Sequence, residues 1–196
     1  MPMKSWLDCI QNIVGPQGLK SVLNHACLEK YVDNSPSEND VLEVPVDDLR
    51  SLFFSLYEVF GDKCTYSLQL RLGREQARIA IKEYAPSAKT IQVAACLLPE
   101  PKKMHMVLEK MKEQIEKVYR TQIELREEGS SFLLTTKNWI ESEGVMSTVP
   151  VCGAFVGMLQ YTMEWITGYP HEVEEIECRA MGHPADVFRI SKVRKV

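Results

Sequence analysis

The side chains best suited to chemistry lie in the last third of the chain. Cys152 begins a long apolar stretch, and Glu175, Cys178 and Asp186 follow that stretch. This group of two thiols and two carboxylates is the most informative chemistry in the sequence. No two of the six cysteines form a CxxC pair, so neither a zinc ribbon nor a thioredoxin-like redox site is indicated.

The spacing within this group sets a geometric condition. Glu175 and Cys178 are three residues apart, and a regular strand would point them to opposite faces. We therefore expect a bulge or the end of a strand between them.

The apolar stretch over residues 150–168 is predicted to be a helix, with Glu164 as its one charged residue. Ser147 or Thr148 can cap its start, and Gly168 can end it. A helix that is apolar on nearly all sides must be covered all round by other elements. We expect it to form the centre of the fold, since it is too short and too well punctuated for a membrane span.

Gly153 and Gly157 stand four residues apart in this central helix. They leave bare backbone on one face, where a second helix or a strand can approach closely. We interpret the pair as a packing feature.

Apolar periodicity predicts the remaining elements. Helices are expected over 4–31 with a break at Gly15 and Pro16, and over 46–60, 63–83, 88–98 and 102–119, with a polar loop over 33–45. Strands are expected over 119–127, 131–139, 171–180 and 186–193, as two hairpins. Helices followed by β-β-α-β-β indicate an α+β fold, an antiparallel sheet with helices packed on it.

We divide the chain into two segments. Residues 1–60 form an N-terminal helical segment that belongs to the same domain or to a dimer interface. Residues 61–196 form the second segment, which includes the predicted sheet.

A regular apolar seam runs along the helix expected over 102–119. Its residues alternate by four and three: Met104, Leu108, Met111, Ile115 and Val118. Such a seam packs along another helix, either within the chain or across a dimer. Together with the apolar N-terminal helices, it predicts a homodimer.

The overall composition excludes several classes of protein. The 196 residues carry a net charge of -4, which argues against a nucleic-acid partner. No apolar run of membrane-spanning length is present, and the N-terminus lacks the pattern of a signal peptide. The sequence therefore predicts a cytoplasmic protein with no transmembrane segment and with mostly reduced thiols.

The C-terminal third resembles a known family through its spacing of cysteine, glutamate, glycine and phenylalanine. The pattern is C-x22-E-x2-C-x3-G-x5-F, beginning at Cys152. It is similar to the 4-vinyl reductase domain family, which includes a bacteriochlorophyll-biosynthesis protein and the sensor domains of aromatic-responsive transcription activators. That family shares a fold with the TRAPP vesicle-tethering subunits. The resemblance implies that residues 61–196 form a 4-vinyl-reductase-like domain of this fold that binds a small molecule.

In sensor members of the family, zinc is held by one glutamate and three cysteines. The resemblance carries three of these ligands onto Cys152, Glu175 and Cys178, whereas Asp186 stands where the family has a cysteine. Aspartate can bind zinc through oxygen, although this set is harder and weaker than one with three thiolates; His183 is a second candidate for the fourth place. The alternative, which we slightly favour, is buried thiols with surface carboxylates.

The family is thought to hold apolar or aromatic molecules in a cavity between its helices and its sheet. The resemblance makes seven residues candidates to line such a cavity here: Met104, His105, Phe132, Trp139, Phe155, Leu159 and Trp165. Each also suits a plain core position. His105 could orient a polar ligand atom or ligate a tetrapyrrole metal.

The sequence favours a binding protein over an enzyme. It has no GxGxxG fingerprint and no flavin or iron–sulfur motif. The resemblance then implies a protein for a hydrophobic ligand, such as a tetrapyrrole or pigment precursor. It would act as a carrier, a sensor or an assembly factor with photosynthetic-complex proteins as partners. The alternatives are a scaffold without a ligand and a vinyl-tetrapyrrole reductase that needs an external electron donor.

Overall fold

The computed structural model describes residues 3–33, 46–83 and 85–195. The helices in these ranges are α1 Met3–His25, α2 Lys30–Asp33, α3 Val46–Phe60, α4 Asp62–Glu83, α5 Ala85–Ala95, α6 Glu100–Tyr119 and α7 Gly153–Thr167. The strands are β1 Ile123–Glu128, β2 Ser131–Thr136, β3 His171–Glu177 and β4 Asp186–Arg194. The predicted α+β class is confirmed. Most of the predicted polar loop, residues 34–45, lies outside the described residues.

Local signals in the sequence place several helix limits correctly. Helix α1 is kinked where predicted, because Gly15 takes a left-handed φ of 77° just before Pro16. Helix α3 spans the predicted residues and ends before Gly61, whose φ of 72° suits glycine.

The four strands form one antiparallel sheet in the order β1-β2-β4-β3. Both predicted hairpins are present, and β4 lies between β2 and β3. In the central pair, Phe132 on β2 is opposite Ile190 on β4, and both side chains are buried. The sheet thus presents one apolar face to the helices.

Helix α7 is the centre of the core, as predicted, and α4 packs directly on it. The contact depends on glycine. A Cβ on Gly157 would overlap the backbone carbonyl of Leu70, and a Cβ on Gly73 would overlap that of Ala154. The predicted packing role of the α7 glycines is confirmed, with α4 as the partner.

The seam of α6 packs inside the chain. Met104, Leu108 and Ile115 are buried in the common core, and Met111 and Val118 pack against it. Helix α7 is a direct neighbour of α6. The observation that motivated a homodimer is therefore explained within one chain, and no observation supports the dimer.

The N-terminal helices share this core. The ring of Trp6 on α1 meets that of Phe53 on α3 edge-on, with centroids 5.0 Å apart. The Ser5 hydroxyl donates to Oε1 of Gln76 on α4 at 2.8 Å. Among the described residues, no helix has both the length and the apolar character needed to cross a membrane.

Candidate functional site

The structure brings the thiols and carboxylates of the last third together. Cys152 lies at the N-cap of α7, Glu175 in β3, Cys178 just after β3, and Asp186 at the start of β4. One ligand atom from each lies within 4.8 Å of every other, and all four residues are buried. The expectation that the two carboxylates lie at the surface is wrong, because the N-terminus of α7 covers the end of β3 and the start of β4.

An irregularity in β3 makes this convergence geometrically feasible. The β3–β4 pairing shifts register between Glu175 and Glu177, and β3 ends at Glu177. The strand alternation is therefore broken before Cys178. The sequence required either a bulge or a strand end between these residues, and both are present.

Hydrogen bonds hold the carboxylates in place. Glu175 Oε2 accepts from the Cys152 backbone N–H at 2.8 Å. Asp186 accepts from the Ser142 hydroxyl at 2.7 Å and from the Arg179 backbone N–H at 2.8 Å. Glu175 Oε1 is buried and accepts no hydrogen bond from an N–H or O–H group; the polar groups beside this carboxylate are the thiols of Cys152 and Cys178. Thiols are weak donors, so this oxygen is available to a cation.

The electrostatics of the four groups also favour a cation. Burial raises the pKa of Glu175 to about 9, that of Asp186 to about 6, and that of Cys152 well above its usual value. The pKa of Cys178 is lowered to about 5, chiefly by a hydrogen bond from the Cys152 thiol. Negative charge on Cys152, Glu175 and Asp186 is thus expensive here without a positive partner, and a bound divalent ion would reverse that preference.

The donor set fits zinc. Tetrahedral zinc places its sulfur and oxygen ligands about 3.3–3.8 Å apart, so small adjustments of donors already within 4.8 Å would suffice. The fourth donor is Asp186 rather than His183, which is exposed and outside the group. Four protein ligands leave no open coordination position, so such an ion would be structural.

The N-terminus of α7 is capped by a residue that sequence reasoning missed. Glu141 accepts from the Ala154 N–H at 2.8 Å, the Phe155 N–H at 3.0 Å and the Trp139 indole N–H at 2.9 Å. The expected caps are wrong: the Ser147 hydroxyl accepts from the Val149 N–H instead, and no side chain at the N-cap position bonds to the helix.

The expected caps are wrong because of the path of the loop before α7. The loop folds back so that the buried carboxylate of Glu141 reaches the N-terminus of the helix. Capping rules search only the adjacent residues, and the sequence contains no local signal for this long-range cap.

Replacing Glu141 with alanine should lower the free energy of unfolding by about 3 kcal/mol, because three buried N–H donors would lose their acceptor. Urea denaturation measures this. The matched control is Glu143→Ala, two residues along, which removes a partly exposed ion pair with Arg179 and should cost less than about 1 kcal/mol. Equal losses from the two substitutions would contradict the capping role.

A second feature is a cavity of about 320 Å³ that is open to solvent between four helices. Its lining comes from α4 (Ala77, Ala80, Ile81), α5 (Ser87, Ala88, Ile91), α6 (Val107, Lys110, Met111, Gln114, Ile115, Val118, Tyr119) and α7 (Met158, Thr162, Trp165). The walls are mainly apolar, and the cavity runs along α6. We call it the helical cavity.

Of the residues suggested to line a cavity, only Trp165 lines this one. Five others are fully buried in the core: Met104, Phe132, Trp139, Phe155 and Leu159. His105 is exposed, with its ring centroid 5.8 Å from that of Phe132.

The space expected between α7 and the sheet is filled by aromatic rings. Phe155 on α7 lies 4.4 Å from Trp139 and 4.7 Å from Phe188 on β4, measured between ring centroids. The cavity lies instead among helices α4 to α7, because these rings close the sheet side of α7.

Comparison with solved structures finds proteins of similar fold at low sequence identity. An H-NOX protein from S. oneidensis in the Fe(II)NO ligation state matches with a TM-score of 0.62 and 11% identity, over 96% of this chain and 97% of that one. A structure concerned with heme redox potential and porphyrin distortion matches with a TM-score of 0.60 and 13% identity, over 98% and 94%. The phenol-responsive sensory domain of the transcription activator PoxR, with phenol, matches with a TM-score of 0.55 and 14% identity, over 76% and 75%. The chain shares their fold.

These comparisons correct the resemblance drawn from the sequence. No protein-family model matches the chain, and no curated protein matches it significantly. The structural neighbours are H-NOX domains and the PoxR sensory domain, so identification with the 4-vinyl reductase family is wrong. The pattern beginning at Cys152 consists of a few widely spaced residues, which is too little to fix a family.

The helical cavity does not supply the usual ligand of a heme group. Among the residues that the structure describes, its lining contains neither histidine nor cysteine. His105 on α6 is exposed and lies outside that lining. The buried His171 is engaged with the Ser191 carbonyl and the Thr167 hydroxyl. The ligand that commonly holds heme iron is thus missing from the cavity wall.

Proposed function

We propose that this protein is a non-catalytic sensor or carrier domain that binds a small apolar molecule in the helical cavity. The observation that carries this proposal is the cavity itself: an opening of about 320 Å³ with mainly apolar walls and a few polar groups. Ligand sites in proteins have this character. The fold shared with sensor domains supports the proposal without defining the ligand.

The size of the cavity favours a ligand of one or two rings. Its volume lies near the lower end of the range of about 300–1,000 Å³ that is typical of small-molecule sites. A tetrapyrrole or pigment precursor is therefore not the ligand that we propose. PoxR, one of the structural neighbours, was solved with phenol, which is a molecule of the proposed size class.

The chemistry of the lining favours binding over catalysis. Among the described residues, the cavity wall contains no histidine, cysteine, aspartate or glutamate. It therefore lacks the usual partners for a general base or an activated nucleophile. Nothing in the structure or the comparisons favours an assembly role with photosynthetic proteins, and we do not propose one.

Calorimetric titration with phenol and 2-naphthol tests the binding proposal. Ala80→Phe, which fills the cavity, should weaken binding of 2-naphthol at least about tenfold, since the ligand and the new ring would compete for one space. The matched control is Ala94→Phe, on the exposed side of α5, which should leave affinity unchanged. Absence of binding to the native protein, or equal effects of the two variants, would refute the proposal.

We also propose that Cys152, Glu175, Cys178 and Asp186 hold a structural zinc ion. The support is the convergence of their ligand atoms within 4.8 Å, together with the unpartnered Glu175 Oε1. Such an ion would link the start of α7 to the end of β3 and the start of β4. Because α7 also forms one wall of the helical cavity, zinc would help to fix the shape of that wall.

A further inference from the structure

The mouth of the helical cavity carries polar side chains that solvent can reach. Ser87 on α5 and Lys110 and Gln114 on α6 line the cavity and are exposed. Lys110 and Gln114 are four residues apart, so they are neighbours on one face of α6. All three side chains can donate hydrogen bonds, and the ammonium group of Lys110 can only donate. The mouth therefore suits a ligand group that accepts hydrogen bonds.

The buried part of the lining offers little to a polar ligand group. The Thr162 hydroxyl is already used, because it donates to the Met158 carbonyl at 2.8 Å. The Tyr119 hydroxyl is closed to solvent and lies beside the Trp6 indole N–H. The other buried lining residues are apolar: Ala77, Ala88, Val107, Ile115 and Met158. The part of a ligand that enters must therefore be apolar, while its polar group stays at the mouth.

Lys110 gives the mouth a positive charge. Among the described residues that line the cavity, it is the one that carries a charge. Its ammonium nitrogen is 2.7 Å from a carboxylate oxygen of Glu113, which does not line the cavity. The two side chains are 57% and 61% exposed, so water screens this ion pair and it contributes little to stability. The flexible Lys110 side chain can therefore turn to an anionic ligand group at small cost.

We propose that the helical cavity selects small aromatic acids, with the ring inside and one carboxylate at the mouth beside Lys110. The rings of Tyr119 and Trp165 line the cavity and offer aromatic contacts to such a ligand. A single lysine matches the single charge of a carboxylate better than the nearly double charge of a phosphate. This inference rests on the proposed function, because it specifies the ligand of the same cavity.

Two probes of the same shape, 2-naphthoate and 2-naphthamide, test this charge preference by isothermal titration calorimetry at neutral pH and low salt. The naphthoate should bind the native protein about threefold to fivefold more tightly, as expected for one exposed ion pair. The preference should shrink in about 0.5 M sodium chloride, because salt screens exposed charges. Lys110→Met should abolish the preference and leave the affinity for 2-naphthamide unchanged.

The matched control is Lys112→Met on the same helix. Lys112 lies outside the lining of the cavity and forms the same kind of intrahelical ion pair, with Glu109. Both substitutions remove one positive charge from the chain, so a long-range effect of net charge would appear in both variants. Lys112→Met should keep the preference for the carboxylate.

The outcomes separate this inference from the binding proposal. If 2-naphthol binds but the naphthoate binds no more tightly than the naphthamide, the inference fails and the binding proposal stands. Equal effects of the two lysine substitutions would lead to the same conclusion. If none of the three naphthalene compounds binds, the proposed function fails and this inference fails with it.

Discussion

Replacing Gly157 with alanine should lower the free energy of unfolding by about 3 kcal/mol or more, one of the largest effects that a single methyl group can have here. The new Cβ would overlap the carbonyl oxygen of Leu70, which belongs to the backbone of α4. Neither helix can yield by rotating a side chain. Helix α4 would have to move away from α7, and the core between them would open.

Urea denaturation monitored by circular dichroism measures this loss. The control is Gly18→Ala in α1, where the added Cβ would come within 2.8 Å of the Val14 side chain, which is a contact with a side chain and not with backbone. The gain in helix propensity offsets part of the cost of that contact, so the loss in free energy of unfolding should be smaller than for Gly157→Ala, at about 1 kcal/mol. If Gly157→Ala were equally mild, the close approach of α4 and α7 would not contribute to stability in the way that the geometry requires.

Loss of the proposed zinc ion should produce the second large effect. Cys178→Ser should abolish a zinc content of one ion per chain and lower the melting temperature by about 10 °C or more. A structural zinc contributes directly to folding, and each kcal/mol lost corresponds to about 2–4 °C in a domain of this size. Elemental analysis and thermal denaturation measure the two quantities, and a strong chelator should shift the native protein in the same direction.

Cys96→Ser is the matched control, because Cys96 is exposed and lies far from the cluster in the sequence. It should change neither the zinc content nor the melting temperature. Absence of zinc from protein purified without chelators would contradict the metal proposal. The same conclusion would follow if Cys178→Ser retained the ion.

Local patterns in the sequence determined much of the secondary structure. The 3.6-residue periodicity fixed α3, the Gly15–Pro16 pair fixed the kink in α1, and the nearly uncharged composition of α7 fixed its burial. These features depend on residues close together in the chain. Hydrophobic periodicity and backbone stereochemistry are properties of a few successive residues, so they can be predicted without knowledge of the rest of the fold.

The candidate metal cluster was predicted only in part from the sequence. The spacing of Glu175 and Cys178 required a bulge or a strand end, and both are present. The burial of Glu175 and Asp186, in contrast, could not be predicted from the sequence. Carboxylates are usually exposed, and only the packing of α7 over the strand ends takes these two away from water.

Only the tertiary structure decided where the cavity lies. An apolar residue in a helix can fill the core or line a cavity, and its neighbours along the chain do not distinguish the two. Trp139 and Phe155 stack into solid core, whereas Trp165 on the same helix as Phe155 borders the helical cavity.

The cap of α7 depends in the same way on a contact between separate segments. Glu141 reaches the start of α7 from across a loop. The sequence by itself determined which segments are helical and apolar, and three-dimensional packing determined which of their side chains fill the core and which border the cavity.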